Sequence, residues 1–319
     1  MPSGAILRAV IGVAISLAAL AFVLSSANLA RTGDVLRTAD LRWVALGVVL
    51  YVLDLGFRAL RWQRLIRPIA QIRYRPMLAY LLVGYLANNV LPARLGELVR
   101  VHYLGDREGI SRASALGTVV VERVVDLAAC VAIASVALLI LSVRGLIANA
   151  VLLGAAVTGL FLLILALGIV AHRLPGLDRI RTIIEGYPRI GDLTRSLQGG
   201  LAVAARPRTV GEAIVVSAAS WSVSILATAA VGQALGIQLS ITQAALIASG
   251  VALVSAVPAA PSNLGTFELA AQELAKAVGV EPAAALAFAL LVHVTILLVT
   301  SIGGAIAFAR LGWRRSAEA

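Results

Sequence analysis

The chain is 319 residues long, 60% hydrophobic and only 13% charged, with a net charge of +11 and a mean hydropathy of +0.95. An ordinary soluble domain carries about 25% charged residues, so a freely soluble globular protein is excluded. The 27 basic residues include a single lysine, Lys276, and in so apolar a chain arginine-rich loops mark the cytoplasmic face or anionic lipid headgroups, not nucleic acid.

The first apolar run, about Ala5 to Leu24, is too long for a signal-peptide core and reads as a membrane span. A short loop holding Arg31, Asp34, Arg37, Asp40 and Arg42 follows, then a second span from about Trp43 to Leu60. The densest basic run comes next, with Arg58, Arg61, Arg64, Arg67, Arg73 and Arg75 and no acid among them. Such a run is expected in the cytoplasm, which places the N-terminus there too. Met77 to Leu91 is apolar but short for a span, and a second basic stretch from Arg94 to Arg112 follows it. A re-entrant hairpin keeps both basic stretches on one side. A long span is expected from Ser114 to Leu141, an outer turn at Arg144, and a returning span from Leu146 to Val170. Residues 172–209 read as a polar cytoplasmic loop with a part-amphipathic surface helix. A span from Ala213 to Ala234, a second short apolar segment from Thr242 to Val257, and a last span from Ala283 to Phe308 complete the chain; Arg310, Arg314 and Arg315 place the C-terminus in the cytoplasm. The lone Cys130 excludes an internal disulfide.

The two short segments end in related text. Pro92-Ala93-Arg94-Leu95-Gly96 lines up with Pro261-Ser262-Asn263-Leu264-Gly265, Gly109-Ile110 with Gly279-Val280, and Ala113 to Leu116 with Ala283 to Leu286. Breaks at Asn88, Asn89, Pro92 and Gly96, and again at Pro258, Pro261 and Gly265, sit inside otherwise apolar regions. Paired breaks of this kind point to the central site of a transporter built from two repeats. The expected fold is therefore an all-α membrane protein: a single domain and polytopic helical bundle with about six full spans plus two re-entrant hairpins. Its repeats are residues 1–143 and 144–319. An odd number of crossings per half inverts the second repeat. The alternative is an eight-span count in which both hairpins cross fully, with Arg100 to Arg112 outside.

Ionisable residues in apolar spans are costly and point to function. Asp54 and Arg58 share a helix face and read as a neutralised pair. Glu97 and Arg100 follow the first break; Glu268 and Glu273, with Lys276, follow the second. Glu122 and Asp126 share a face of the long span, whereas Arg123 points elsewhere. His293 falls opposite Arg123 in the repeat and reads either as an interhelical hydrogen-bonder or as a proton relay. No zinc-type histidine pair, nucleophile elbow or phosphate-binding G-x-x-x-x-G-K occurs, so neither a metal nor a cofactor is expected.

Together these residues resemble the flippase-like transmembrane region of the lysylphosphatidylglycerol synthases. The motifs are Arg61-Trp62, Asn89 to Pro92-Ala93-Arg94-Leu95-Gly96-Glu97 with Arg100, Glu122-Arg123 with Asp126, and Gly265 with Glu268. The chain departs from the pattern at His293, where relatives often carry arginine, and in a less glycine-rich second break. The full synthases continue into a soluble aminoacyl-transferase domain that the residues up to Ala319 do not supply. The resemblance thus implies the lipid-translocating part, in the bacterial-type inner membrane. Its cargo would be an anionic or aminoacylated phospholipid or a polyprenyl-phosphate-linked lipid. Arg94, Arg100 and Arg123 are the expected phosphate ligands. Glu97, Glu122, Asp126 and Glu268 balance them or hold a cationic headgroup, with Asn263 and His293 completing the substrate site. With no ATP motif, movement is passive or coupled to an ion gradient. A second copy of the chain or a separate synthase is the protein partner expected. The rival readings are an integral-membrane transferase acting on a lipid-linked substrate and a non-transporting accessory subunit.

Overall fold

Long apolar text becomes helix here because a helix satisfies its own backbone groups, and polar caps set where each helix begins. The computed structural model describes residues 16–23, 28–91, 95–143, 151–156, 158–160, 202–256 and 260–317, with isolated residues between them. Residues 16–23 are helical. Helix α1 (Leu29–Arg37) starts at Asn28, and α2 (Leu41–Ile66) at Asp40, whose carboxylate accepts the Arg42 N–H at 2.8 Å. Helices α3 (Tyr74–Val90) and α4 (Gly96–Glu108) form a hairpin that leads into α5 (Arg112–Leu141). After a 3-10 turn at Ala202–Ala205, Pro207 opens α6 (Pro207–Ala234), a favoured first position for proline. A reciprocal Ser240–Gln243 capping box starts α7 (Ile241–Ser255). A 3-10 turn at Pro261–Asn263 joins it towards α8 (Thr266–Ala277), and α9 (Pro282–Ala317) is the last helix. No strand occurs among the described residues.

Four of these helices are long and apolar enough to cross a membrane: Leu41–Ile66, Arg112–Leu141, Pro207–Ala234 and Pro282–Gly312. They match the four expected spans that fall on described residues, lengthened by up to six residues at an end. The expected span Ala5 to Leu24 is seen only over 16–23, and most of Leu146 to Val170 lies outside the described residues. Helices α3 and α7, with 17 and 15 residues, reach about 25 Å and 22 Å at 1.5 Å per residue, short of about 30 Å of hydrocarbon.

The elements pack reciprocally. Helix α2 lies along α6. Helix α3 packs on α4 and α9; its counterpart α7 packs on α8 and α5. Helix α4 packs on α5 as α8 packs on α9. Both α4 and α8 are followed by a left-handed glycine, Gly109 at φ 66° and Gly279 at φ 95°, before the long helix begins. Each hairpin carries its own apolar core, one around Trp62, Tyr80 and Leu104, the other around Leu246, Phe267 and Phe288.

Three boundaries differ from the sequence reading. Asn88 and Asn89 are not in the break: they form the last turn of α3, which runs to Val90, because Asn88 accepts the Gly96 N–H at 2.8 Å and is held in helical register. Gly96 is the first residue of α4, not a break residue, and its role is close approach: a Cβ there would sit 1.9 Å from the Gly84 carbonyl oxygen. The polar loop expected over 172–209 ends early, since Ala202–Ala205 is helical and α6 starts at Pro207. Pro92, Arg94 and Pro258 lie outside the described residues.

Candidate functional site

Helix α2 carries Asp54, Arg58 and Arg61 at spacings of four and three, hence on one face. That face meets Glu122 and Asp126 of α5 and Ser217 and Ser220 of α6. Arg61 is fully buried and is the hub. It grips Asp126 with both terminal nitrogens, Nη1 to Oδ1 at 2.6 Å and Nη2 to Oδ2 at 2.8 Å. It also donates to Glu122 at 3.1 Å and to the Ser217 hydroxyl at 3.0 Å. This fork-to-carboxylate geometry is the strong, planar arrangement for which arginine is suited. Arg58 pairs with Asp54 at 2.8 Å and approaches Asp126 at 3.8 Å; the Ser220 hydroxyl donates to the other Asp54 oxygen. From α4, Arg100 lies over the Trp62 ring at 4.6 Å and 3.0 Å from Glu122 Oε2. None of its terminal nitrogens or Nε has a hydrogen-bond partner among the described residues, so that contact is ionic without an aligned N–H. Glu97, in the first turn of α4, takes Arg123 at 2.9 Å. Arg58, Arg61, Arg100 and Arg123 thus balance Asp54, Glu97, Glu122 and Asp126, and the network is neutral.

Against this network lies a cavity of about 550 Å³, bounded by both breaks. Its charged lining, Arg58, Glu97, Arg123 and Asp126, comes from α2, α4 and α5. Most of its apolar lining, including Ile247, Val251, Phe288, Val292 and Ile296, comes from α7 and α9, with Leu127 of α5 and Phe267 of α8 adding to it. Tyr51, Tyr85 and Trp221 line it too. The second break touches the end of α3: the Ser262 hydroxyl donates to the Asn89 carbonyl at 3.0 Å, and the Asn89 amide donates to Thr300 at 2.8 Å and Ser301 at 3.0 Å, both on α9. Ser262 and Asn263 both hold left-handed backbone, φ 60° and 57°, unusual for residues with a side chain. Behind the second break, Glu268 accepts the Gly265 N–H at 2.7 Å and meets His293 at 2.6 Å, while His293 stacks on Phe267 at 4.2 Å. Helical residues 16–23 cover this break from outside: Ser16 accepts the Ala260 N–H at 3.0 Å, and its carbonyl oxygen leaves no room for a Cβ on Gly265, 2.2 Å away.

Of the residues singled out by sequence, Glu97, Arg123, Asp126, Asn263 and His293 line the cavity. Glu268 stands one contact behind it, through His293. Arg100 and Glu122 are buried in the network and do not line the cavity. Arg123 was expected to point away from Asp126, yet its long side chain bends back to 3.9 Å from it while pairing with Glu97. The sequence reading left Arg58, Tyr51, Tyr85 and Trp221 out of the site. The Asp54-Arg58-Arg61 spacing carried that signal for α2; nothing in the apolar text of α6 marked Trp221. Among the described residues no three metal-ligating side chains are grouped.

Fold and site together define an integral, multi-pass membrane protein with a neutral buried charge network beside an amphipathic cavity. Sequence comparison agrees: the profile of the lysylphosphatidylglycerol synthase transmembrane region matches residues 9–304, and the chain belongs to that family. It is 26% identical to the glycosyltransferase AglD of Haloferax volcanii over 92% of this chain and 53% of that protein. A UPF0104 membrane protein of Pyrococcus horikoshii is 24% identical over 87% of this chain and 90% of its own length. Another, from Methanothermobacter thermautotrophicus, is 36% identical over 39% of this chain and 36% of its own. The chain therefore spans about half of AglD. No solved structure matches it.

Proposed function

We propose that this chain moves a phosphate-bearing lipid between leaflets: an anionic or aminoacylated phospholipid, or a polyprenyl-phosphate-linked lipid. The observation that carries the reading is the cavity itself, whose arginines and carboxylates all come from the first half of the chain and whose apolar wall comes mostly from the second. A headgroup and the start of an acyl or prenyl chain require that division. Arg123 is the primary headgroup ligand. Its side chain is 30% exposed and lines the cavity, with Glu97 at 2.9 Å and Asp126 no nearer than 3.9 Å, leaving terminal donors for a planar oxyanion. In this reading α3–α4 and α7–α8 are re-entrant hairpins of an inverted repeat that enter from opposite faces. The termini are cytoplasmic and the protein resides in the inner membrane. Reconstitution in liposomes with a labelled phospholipid tests it. Transbilayer movement of chemically unchanged lipid is the expected result.

A transferase is the second reading, favoured by the similarity to a protein named as a glycosyltransferase along nearly the whole of this chain. Covalently modified lipid without movement decides for it.

A further inference from the structure

Each buried carboxylate of the network has an arginine partner, and arginine does not release its proton at physiological pH. Glu268 differs: its ionic partner is His293, an imidazole, which can exist with or without the second ring proton. Both are about 3% exposed, and His293 lines the cavity.

The contacts of the ring dictate how many protons it shares. Nε2 lies 3.0 Å from the Ser262 carbonyl oxygen, which can only accept, so Nε2 carries a hydrogen. Nδ1 lies 2.6 Å from Glu268 Oε1, and a contact that short needs a proton between the two atoms. That proton sits on nitrogen, giving imidazolium and carboxylate, or on oxygen, giving imidazole and carboxylic acid. Either way the pair holds one proton more than neutral histidine with ionised glutamate, and its net charge is zero. Remove that proton and one contact must fail. If the remaining hydrogen stays on Nε2, two lone pairs face each other at Glu268. If it moves to Nδ1, two lone pairs face each other at Ser262. The second outcome reaches the last turn of α3, because Ser262 is also the residue bonded to Asn89.

We propose that His293 and Glu268 form a proton-binding site in the cavity wall, and that one proton taken up there accompanies each phosphate-bearing headgroup. The proposal of coupling rests on the lipid-moving reading; that of the proton site does not. The charge balance supplies the reason for coupling. The other titratable or charged groups at the cavity are Tyr51 and Arg58 of α2, Tyr85 of α3, Glu97 of α4, and Arg123, Asp126 and the neutral thiol Cys130 of α5. Helices α6 and α7 present none there among the described residues, and Glu281, at the head of α9, pairs with Arg31 of α1. The arginines and carboxylates already cancel. A phosphodiester monoanion entering the cavity therefore adds one uncompensated negative charge, and an unprotonated Glu268–His293 pair adds a second. Protonation of the pair removes the second charge, so headgroup and proton favour each other's binding, reciprocally. The proton enters from water on the loading side, bridges Nδ1 and Oε1 during the crossing, and returns to water on the far side; no covalent bond in the lipid changes.

Two measurements on the full-length chain test this. Nitrogen-15 spectra of histidine-labelled protein in nanodiscs, assigned with His293→Gln, report the ring. A carboxyl infrared band assigned with Glu268→Gln reports the acid. The expected result is imidazolium or a protonated carboxyl over about pH 5 to 8, lost together at higher pH. A neutral imidazole beside an ionised Glu268 throughout that range overturns the proton site, whatever the protein transports. The second measurement uses phosphatidylglycerol vesicles with an entrapped pH indicator. A pH gradient is expected to bias the leaflet distribution of labelled phosphatidylglycerol, with proton movement alongside it. Glu268→Gln, which can still donate to Nδ1 and accept from Gly265, is expected to abolish the bias. Lipid movement indifferent to the gradient overturns the coupling and leaves the lipid-moving reading intact. Absence of any lipid movement in the wild type overturns that reading and the coupling with it, while the spectra alone decide the proton site.

Discussion

The two hairpins share a backbone plan and differ in chemistry. In the first, Gly96 brings α4 against α3, and the turn after it delivers Glu97 and Arg100 to arginine–carboxylate pairs. In the second, the corresponding position is Gly265, and the first turn of α8 delivers Glu268 to a histidine instead. The arginines and carboxylates that line the cavity come from α2, α4 and α5, and most of its apolar surface comes from α7 and α9. A helix–break–helix plan thus serves as scaffold for either content: a fixed charge set on one side, a titratable pair and a greasy wall on the other.

Breaking the fixed charge set should have the largest effect. Arg61→Ala leaves Asp126 buried without its main cation and Glu122 without one of its two close arginines, which costs about 3–5 kcal/mol. Thermal unfolding in detergent should show a steep fall in Tm, or the protein should fail to accumulate. Glu268→Gln, on the other hairpin, should be well tolerated by the same measure.

Arg123→Gln separates binding from folding. Its guanidinium is 30% exposed at the cavity rim and its partner Glu97 is 24% exposed, so the stability loss should be small. The loss of one charge-assisted contact, about 1.5–3 kcal/mol, predicts a tenfold or greater fall in headgroup affinity. Titration of the detergent-solubilised protein with short-chain phosphatidylglycerol measures it.

A matched pair of glycine substitutions sharpens the contrast in backbone packing. Gly96→Ala drives a methyl into the Gly84 carbonyl, which cannot move without parting the helices, and should cost about 1–3 kcal/mol. Gly250→Ala, in the second hairpin, meets only the Leu274 side-chain tip at 2.8 Å, and should cost less than about 1 kcal/mol as that tip rotates away. Equal losses in the two variants would mean the second hairpin is as tightly packed as the first.

The smallest effect belongs to the link between the hairpins. Ser262→Ala removes the hydrogen bond to Asn89 and should destabilise by about 0.5–1.5 kcal/mol. Hydrogen exchange at Asn89 and Asn263 should accelerate while the long helices stay protected.

By itself, the sequence determined the helices, their approximate ends and the two breaks. Hydropathy, proline and capping residues act over a few neighbours, so the long runs at α2, α5, α6 and α9 and the Pro-x-x-Leu-Gly repeats could be read directly. It also marked most of the costly charges, because an ionised group in an apolar run is conspicuous wherever it ends up. Even so, Asn88 and Asn89 look like breakers in isolation and are helical here, Asn88 accepting the Gly96 N–H and Asn89 donating to Thr300 and Ser301 of α9. Only the tertiary structure decided which charge meets which. Arg61 lies 65 residues from Asp126 and 156 from Ser217, and Glu268 lies 25 from His293. Long flexible side chains on neighbouring helices can pair in many combinations with nearly equal local cost. Close packing of α2 on α6, and of each hairpin on the other half's long helix, selects one combination, leaving Arg100 behind the cavity and Arg123 facing it.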